Sequence, residues 1–220
     1  MKTKNAIDGN PGESVTVLVE TAVSKENMSR LVESKRIYSS SRNGGRGGTS
    51  PPAYPFREMS IDSVIAIDIP GRGNYRLSHL VLDVNGTIAC DGELIPGVAD
   101  RIEKLRSSVE VHLLTADTYG KQDAIDAELG LQGVRLETNV SEAEQKADFV
   151  SLLGSAGVVA IGNGANDALM LEAAAIGIAV LGREGLSVAA CQNADILVAD
   201  ILNALDLLLH PRRLVATLRS

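Results

Sequence analysis

The chain has 220 residues, a formal net charge of −7, 45% hydrophobic residues and only 3% aromatics with no Trp, which suits one soluble globular domain with an aliphatic core plus some tail. Its two cysteines, Cys90 and Cys191, stand far apart with no His or Cys at metal-ligand spacing; this argues against a disulfide scaffold or a zinc site and for a reducing compartment. Residues 1–58 carry net +3 and the remainder net −10, and an acidic body argues against nucleic acid as the main ligand.

No run approaches the roughly 18 apolar residues of a membrane span, and Met-Lys-Thr-Lys-Asn lacks the apolar segment of a secretory signal behind it. The expectation is a cytoplasmic protein with no membrane partner. Residues 1–58 are read as a disordered extension, because Ser39 to Pro52 is a Gly/Ser/Pro stretch. Ordered patterning starts at Met59, an alternative start of translation, and residues 59–220 are read as the folded domain.

Two extended runs, Ile61 to Asp68 and Tyr75 to Leu77, flank the turn Pro70-Gly71-Arg72-Gly73; they predict a hairpin that adds an edge to the sheet. Leu80-Val81-Leu82 is a short apolar run that ends at Asp83, and Asn85-Gly86 turns the chain, as at the end of a buried strand. Asp91-Gly92 between short apolar pieces predicts a second hairpin. A helix follows over 97–108 behind Pro96, then a strand over Val109 to Leu114. Gly120 to Leu129 reads as a helix and Val134 to Glu137 as a short strand. Ser141 with Glu144 is a capping-box pattern that opens a helix over Glu142 to Leu153. Gly157 to Ile161 is a strand, Ala168 to Ala175 a helix and Ile176 to Val180 a strand. Ser187 to Asn193 is a short helix and Asp195 to Val198 a last strand. A helical tail spans Ile201 to Leu218, kinked or broken at Pro211. Strands alternating with helices predict a parallel sheet covered on both faces.

Three strand ends carry polar loops: Asp83 to Thr87, Thr115-Ala116-Asp117, and Gly162-Asn163-Gly164-Ala165-Asn166-Asp167. In a parallel sheet such loops open on one edge and converge in one crevice. Each has a bland alternative. Asp83 taken alone is a turn-capping carboxylate, Lys146 alone is a solvated partner of Glu142 one helical turn away, and His112 inside its strand is a packed residue. Together, carboxylates, a hydroxyl, a cation and glycines that let backbone N–H groups approach an anion suit Mg²⁺ plus a phosphoryl group.

The order Asp83-x-x-Gly86-Thr87, Thr115, Lys146, Gly162-x-Gly164-x-Asn166-Asp167 resembles the four motifs of the haloacid dehalogenase-like (HAD) superfamily. Within it the pattern is similar to the phosphorylation domain of P-type ATPases and, more closely, to small soluble capless relatives of that domain. The resemblance covers about residues 78–220 and implies a Rossmann-like, doubly wound parallel α/β sheet. It implies that Asp83 is the nucleophile of a Mg²⁺-dependent phosphohydrolase, with Asn85, Thr115 and Lys146 as the other catalytic groups. Gly86, Thr87, Thr115, Ala116, Lys146 and Gly164 would bind the phosphoryl group. Asp83, the Asn85 carbonyl, Asn163 and Asp167 would hold the metal, with Asn166 in its shell.

The chain departs from the family pattern twice. The usual acid/base Asp two residues after the nucleophile is Asn85, and the Asp that opens the last motif is Asn163. An amide cannot shuttle a proton, so the expected substrates are phosphate esters or acyl phosphates with good leaving groups. The alternative is a catalytically weak phosphoryl-binding or regulatory module. The stretches from Thr87 to Thr115 and from Thr118 to Lys146 leave no room for a cap domain, so the expected partners are a small phosphorylated substrate and, over the open crevice, a second copy of the chain in a homo-oligomer.

Overall fold

A computed structural model describes residues 64–117 and 119–220. The expectations for residues 1–58, for the start of the first extended run and for Thr118 lie outside the described residues. The elements in chain order are β1 (Ile65–Ile69), β2 (Gly73–Leu77), β3 (His79–Asp83), β4 (Ala89–Cys90), β5 (Glu93–Leu94), α1 (Val98–Leu105), β6 (Glu110–Thr115), α2 (Gln122–Leu129) and β7 (Val134–Arg135). Then come α3 (Glu142–Leu153), β8 (Val158–Gly162), α4 (Ala168–Ala173), β9 (Ile176–Val180), α5 (Val188–Gln192), β10 (Ile196–Val198), α6 (Ile201–Leu209) and α7 (Pro211–Leu218).

Six strands form one parallel sheet in the order β10-β9-β8-β3-β6-β7. The chain starts this sheet at β3, adds β6 and β7 on one side, then crosses back to add β8, β9 and β10 on the other. The direction of winding therefore reverses between β3 and β8, the point where open α/β sheets place a ligand crevice beyond the strands' carboxyl ends. Asp83 ends β3, and the loop carrying Asn163 to Asp167 follows β8.

Both faces of the sheet are buried, so the strands read as nearly continuous apolar runs. In β3, Leu80 and Leu82 pack on one side with Ile102 and Leu105 of α1, Ile125 of α2, Leu205 and Leu208 of α6 and Leu214 of α7. Val81 points to the other side, against Val150 of α3, Met170 and Leu171 of α4 and Ala190 of α5. Ser141 caps α3, its hydroxyl accepting the Glu144 N–H at 3.4 Å, and Pro211 opens α7 at a position where its missing N–H costs nothing. Asp91 and Gly92 both have positive φ, 53° and 73°, as the two-residue turn between β4 and β5 requires.

One expectation needs correction. The β1–β2 hairpin forms its own two-stranded antiparallel sheet and adds no edge to the large one. The reason is topological: β2 leads into β3 through Ser78 alone, and β3 is already paired on both sides, by β6 and β8. The hairpin instead lays Ile65, Ile67, Ile69 and Leu77 into the core that holds Leu214 and Leu218 of α7. Among the described residues, no helix is long and apolar enough to cross a membrane.

Candidate active site

Asp83, Thr87, Thr115, Lys146, Asn163 and Asp167 are all buried, and every buried side-chain N or O atom among the described residues has a hydrogen-bond partner. Lys146 comes from α3, which with Val150 turns one face to the sheet. It is 1% exposed, so the solvated-face alternative does not hold. Its ammonium donates to Asp83 Oδ1 at 2.7 Å and to Asp167 Oδ1 at 2.6 Å, bridging the two strand ends across the switch point.

The other oxygens of these carboxylates are held as well. Asp167 Oδ2 accepts the backbone N–H groups of Asn163 at 2.9 Å and Gly164 at 2.8 Å. The Thr87 hydroxyl lies 2.9 Å from Asp83 Oδ2 and 3.1 Å from Asn163 Oδ1. Thr87 is brought there by a tight loop in which Val84 O accepts from the N–H groups of Thr87, Ile88 and Ala89. Gly86 turns that loop at φ 84°, and a Cβ there would stand 2.6 Å from the Asn163 amide nitrogen. Both conformation and space therefore call for glycine. At Gly162 space alone calls for glycine, since a Cβ there would lie 2.5 Å from Asp167 Cγ.

Two carboxylates share one buried cation, and the electrostatics follow. Burial, then the charge of Asp167, pushes the Asp83 carboxyl up to about 7 against the pull of Lys146 and Thr87. Burial works against the Lys146 ammonium too, but Asp83 and Asp167 overcome it and hold its pKa above the ordinary lysine value.

The remaining residues singled out in the sequence are placed as follows. Thr115 is buried at the end of β6, next to β3, and its Oγ1 accepts the Asp117 N–H at 2.9 Å. Ala116 follows it, half-buried. Asn85 is half-buried in the Val84–Ala89 loop. Asn166 is turned aside, its amide donating to Glu142 Oε2 at 2.7 Å. Two partners escaped the sequence reading. Glu142 was seen only as a companion of Lys146. The loop 182–187 carried no signal beyond its glycines, yet Gly185 O accepts from the Asn163 amide at 3.2 Å, and Ser187 N–H donates to Asn163 O at 2.8 Å.

This geometry can be set beside known proteins. No family model matches the chain. It is 52% identical over 63 residues to an uncharacterized protein of Methanocaldococcus jannaschii, covering 29% of this chain and 68% of that one. It is 34% identical over 135 residues to a copper-transporting ATPase of Oryza sativa subsp. japonica, covering 57% of this chain but only 13% of the ATPase. A Vibrio cholerae chain assigned as a 3-deoxy-D-manno-octulosonate 8-phosphate phosphatase shares the fold, with TM-score 0.50, 15% identity and coverage of 69% of this chain and 97% of that one. The fold is that of the haloacid dehalogenase-like hydrolases, and the sequence matches part of the cation-transporting P-type ATPases.

As a HAD-like domain it is capless. Between β3 and β6 stand only the β4–β5 hairpin and α1, and between β6 and α3 only α2 and β7. The donor set fits the Mg²⁺ ion that the superfamily implies. Asp83, Asp167, the Asn85 carbonyl and Asn163 Oδ1 are hard oxygen donors of the kind that ion prefers. Burial first, and the charge of Asp167 second, hold the Asp83 pKa up, and a divalent cation between the two carboxylates would offset that second contribution. At Asn163 this HAD-like chain has a physical reason for its amide: only an amide donates to Gly185 O while its oxygen faces the Thr87 hydroxyl.

Proposed function

We propose that the protein is a Mg²⁺-dependent phosphohydrolase that works through an aspartyl-phosphate on Asp83. The observation that carries this reading is the Lys146 bridge between Asp83 and Asp167 at the switch point of the sheet. A buried carboxylate at a strand end, pinned by an ammonium on one oxygen and a hydroxyl on the other, is an oriented nucleophile rather than a surface cap.

In the first step an Asp83 oxygen attacks phosphorus and the bond from phosphorus to the leaving oxygen breaks. Lys146 offsets charge on the phosphoryl oxygens, and the Thr115 hydroxyl and the Gly86, Thr87, Ala116 and Gly164 backbone line the place they take. The ion, when bound by Asp83, the Asn85 carbonyl, Asn163 and Asp167, supplies positive charge to the transferring group. In the second step water attacks the phosphorus of the aspartyl-phosphate, releasing inorganic phosphate and restoring Asp83. Asn85 can hydrogen-bond the leaving oxygen but has no proton to give it, so that oxygen must leave as an anion or take a proton from water. General acid help is typically worth about 10²–10⁴ in rate, and substrates that leave without it, such as acyl phosphates, are favoured. The substrate is a small phosphorylated molecule, and a second copy of the chain covers the uncapped crevice.

The same Asn85 favours a second reading, a module that binds a phosphoryl group without turnover. Phosphate release by the full chain with Mg²⁺, offered acetyl phosphate, an aryl phosphate and a sugar phosphate, separates the two. Turnover of acetyl phosphate that Asp83→Asn abolishes supports the hydrolase. Equal silence of wild type and Asp83→Asn on all three substrates, with a phosphate analogue still bound, discards it for the binding module.

A further inference from the structure

The edge of the sheet opposite the Asp83 crevice carries a second group of polar side chains. His79 opens β3 and Glu110 opens β6, and the parallel register makes them direct neighbours. His112 stands two residues beyond Glu110 and so shares its face of the sheet. His79 Nδ1 lies 3.2 Å from His112 Nε2. Glu110 Oε2 lies 3.6 Å from His79 Nδ1 and 4.0 Å from His112 Nε2. These three donor atoms lie within 4.8 Å of one another.

We propose that His79, Glu110 and His112 form a binding site for a divalent first-row transition-metal ion such as Zn²⁺. Two imidazole nitrogens bound to one tetrahedral zinc ion, each at about 2.0–2.1 Å, stand about 3.3 Å apart, which matches the spacing of His79 Nδ1 and His112 Nε2. The carboxylate oxygen stands a few tenths of an ångström outside that bite, and the Glu110 side chain, 48% exposed, is free to close it. Two nitrogens and one oxygen select zinc, cobalt or nickel over Mg²⁺, which prefers oxygen throughout.

The surroundings favour ligation. Burial lowers the His79 pKa despite the opposing charge of Glu110, and neutral imidazole is the form that binds metal. His112 is held by the edge of Phe149 from α3, with centroids 5.4 Å apart and planes at 68°. The ion ties the first residue of the Asp83 strand to the strand that ends in Thr115, at the end away from both. Its role is to clamp β3 to β6, leaving a fourth position for water or an outside donor. It is independent of the phosphoryl chemistry, so neither reading falls with the other.

The test uses metal-stripped full chain with excess Mg²⁺ present to occupy the Asp83–Asp167 crevice. Co²⁺ uptake is followed by visible absorption and Zn²⁺ uptake by calorimetry and thermal melting. The expected result is one equivalent bound, with Zn²⁺ at about a hundredfold above its Kd raising Tm by about 5–11 °C. Binding is lost in His79→Gln and in His112→Gln. It weakens tenfold or more in Glu110→Gln, whose exposed side chain makes that variant safe to fold. Saturable uptake that survives all three changes but disappears in Cys90→Ser overturns the proposal in favour of the exposed Cys90–Asp91–Glu184 group. Absence of saturable uptake of either ion overturns it as well.

Discussion

Lys146 Nζ and Asp167 Oδ1 stand 2.6 Å apart at a point where Lys146 is 1% exposed and Asp167 not at all. An ion pair so placed contributes little as a pair but is costly to break, because removal of one partner leaves a buried charge uncompensated. Lys146→Met strands two carboxylates side by side. The expected loss is about 3–5 kcal/mol at pH 7.5, together with all phosphoryl transfer. At pH 5 a proton on Asp83 takes over part of the lysine's role and the loss shrinks. Urea unfolding at both pH values checks this; an equal loss at both would place its cause in packing rather than in charge.

Asp83 makes the opposite prediction. Its folded-state pKa, pushed up to about 7 by burial and then by the charge of Asp167, means that the folded protein holds this proton more tightly than the unfolded chain does. As pH rises above about 4, where an unfolded Asp ionises, the folded state must keep the proton or carry a buried charge. The penalty therefore grows with pH and is complete once Asp83 is ionised above about 7. Asp83→Asn removes it. The metal-free variant is expected to be more stable than wild type at pH 8, by on the order of 4 kcal/mol or about 8–16 °C in Tm, and nearly equal to it at pH 4. Melting curves in a chelator across that range give the answer. On the proposed mechanism the gain in stability comes with loss of the nucleophile, a trade between stability and activity.

Gly86 links the motif's sequence to its shape. Gly86→Ala must place a Cβ 2.6 Å from the Asn163 amide at φ 84°, so either Asn163 moves or the loop opens. A destabilisation of about 1–3 kcal/mol is expected, with phosphate release falling further than stability accounts for, since Thr87 leaves Asp83 when the loop opens. Unfolding free energy measured beside the Mg²⁺-dependent rate separates the two effects.

Much of this was legible in the chain itself, for a reason that particular residues show. The apolar run Leu80-Val81-Leu82 is buried on both faces, and that burial is what lets a strand be read without alternation. Asp83 and Asp167 were legible because a parallel sheet sends all its strand ends to one edge, whereas Lys146, on α3, was legible only through the order of the motifs around it. What escaped was pairing between distant segments of similar local pattern. The β1–β2 hairpin alternates as any edge hairpin does, and only the double occupancy of β3 keeps it off the large sheet. His79 and His112 are one residue each in separate strands, and the register that pairs β3 with β6 is what brings them together. Gly185 reaches Asn163 across 22 residues, and no spacing rule encodes that contact.

That last contact yields a test of why the chain carries an amide where the superfamily pattern has a carboxylate. Asn163→Asp keeps the size of the side chain but loses the donor to Gly185 O, and it sets a third carboxylate beside Asp83 and Asp167. In a chelator the variant is expected to lose about 1–3 kcal/mol, the cost of an unmade buried hydrogen bond, with repulsion added. With Mg²⁺ in excess the same charge becomes a ligand, and the deficit should shrink or reverse as the ion binds more tightly. Melting temperatures with and without Mg²⁺, and calorimetric Mg²⁺ affinities of both proteins, decide it. A deficit that is the same in both conditions would mean that Asn163 serves the loop 182–187 alone and that position 163 lies outside the metal's reach.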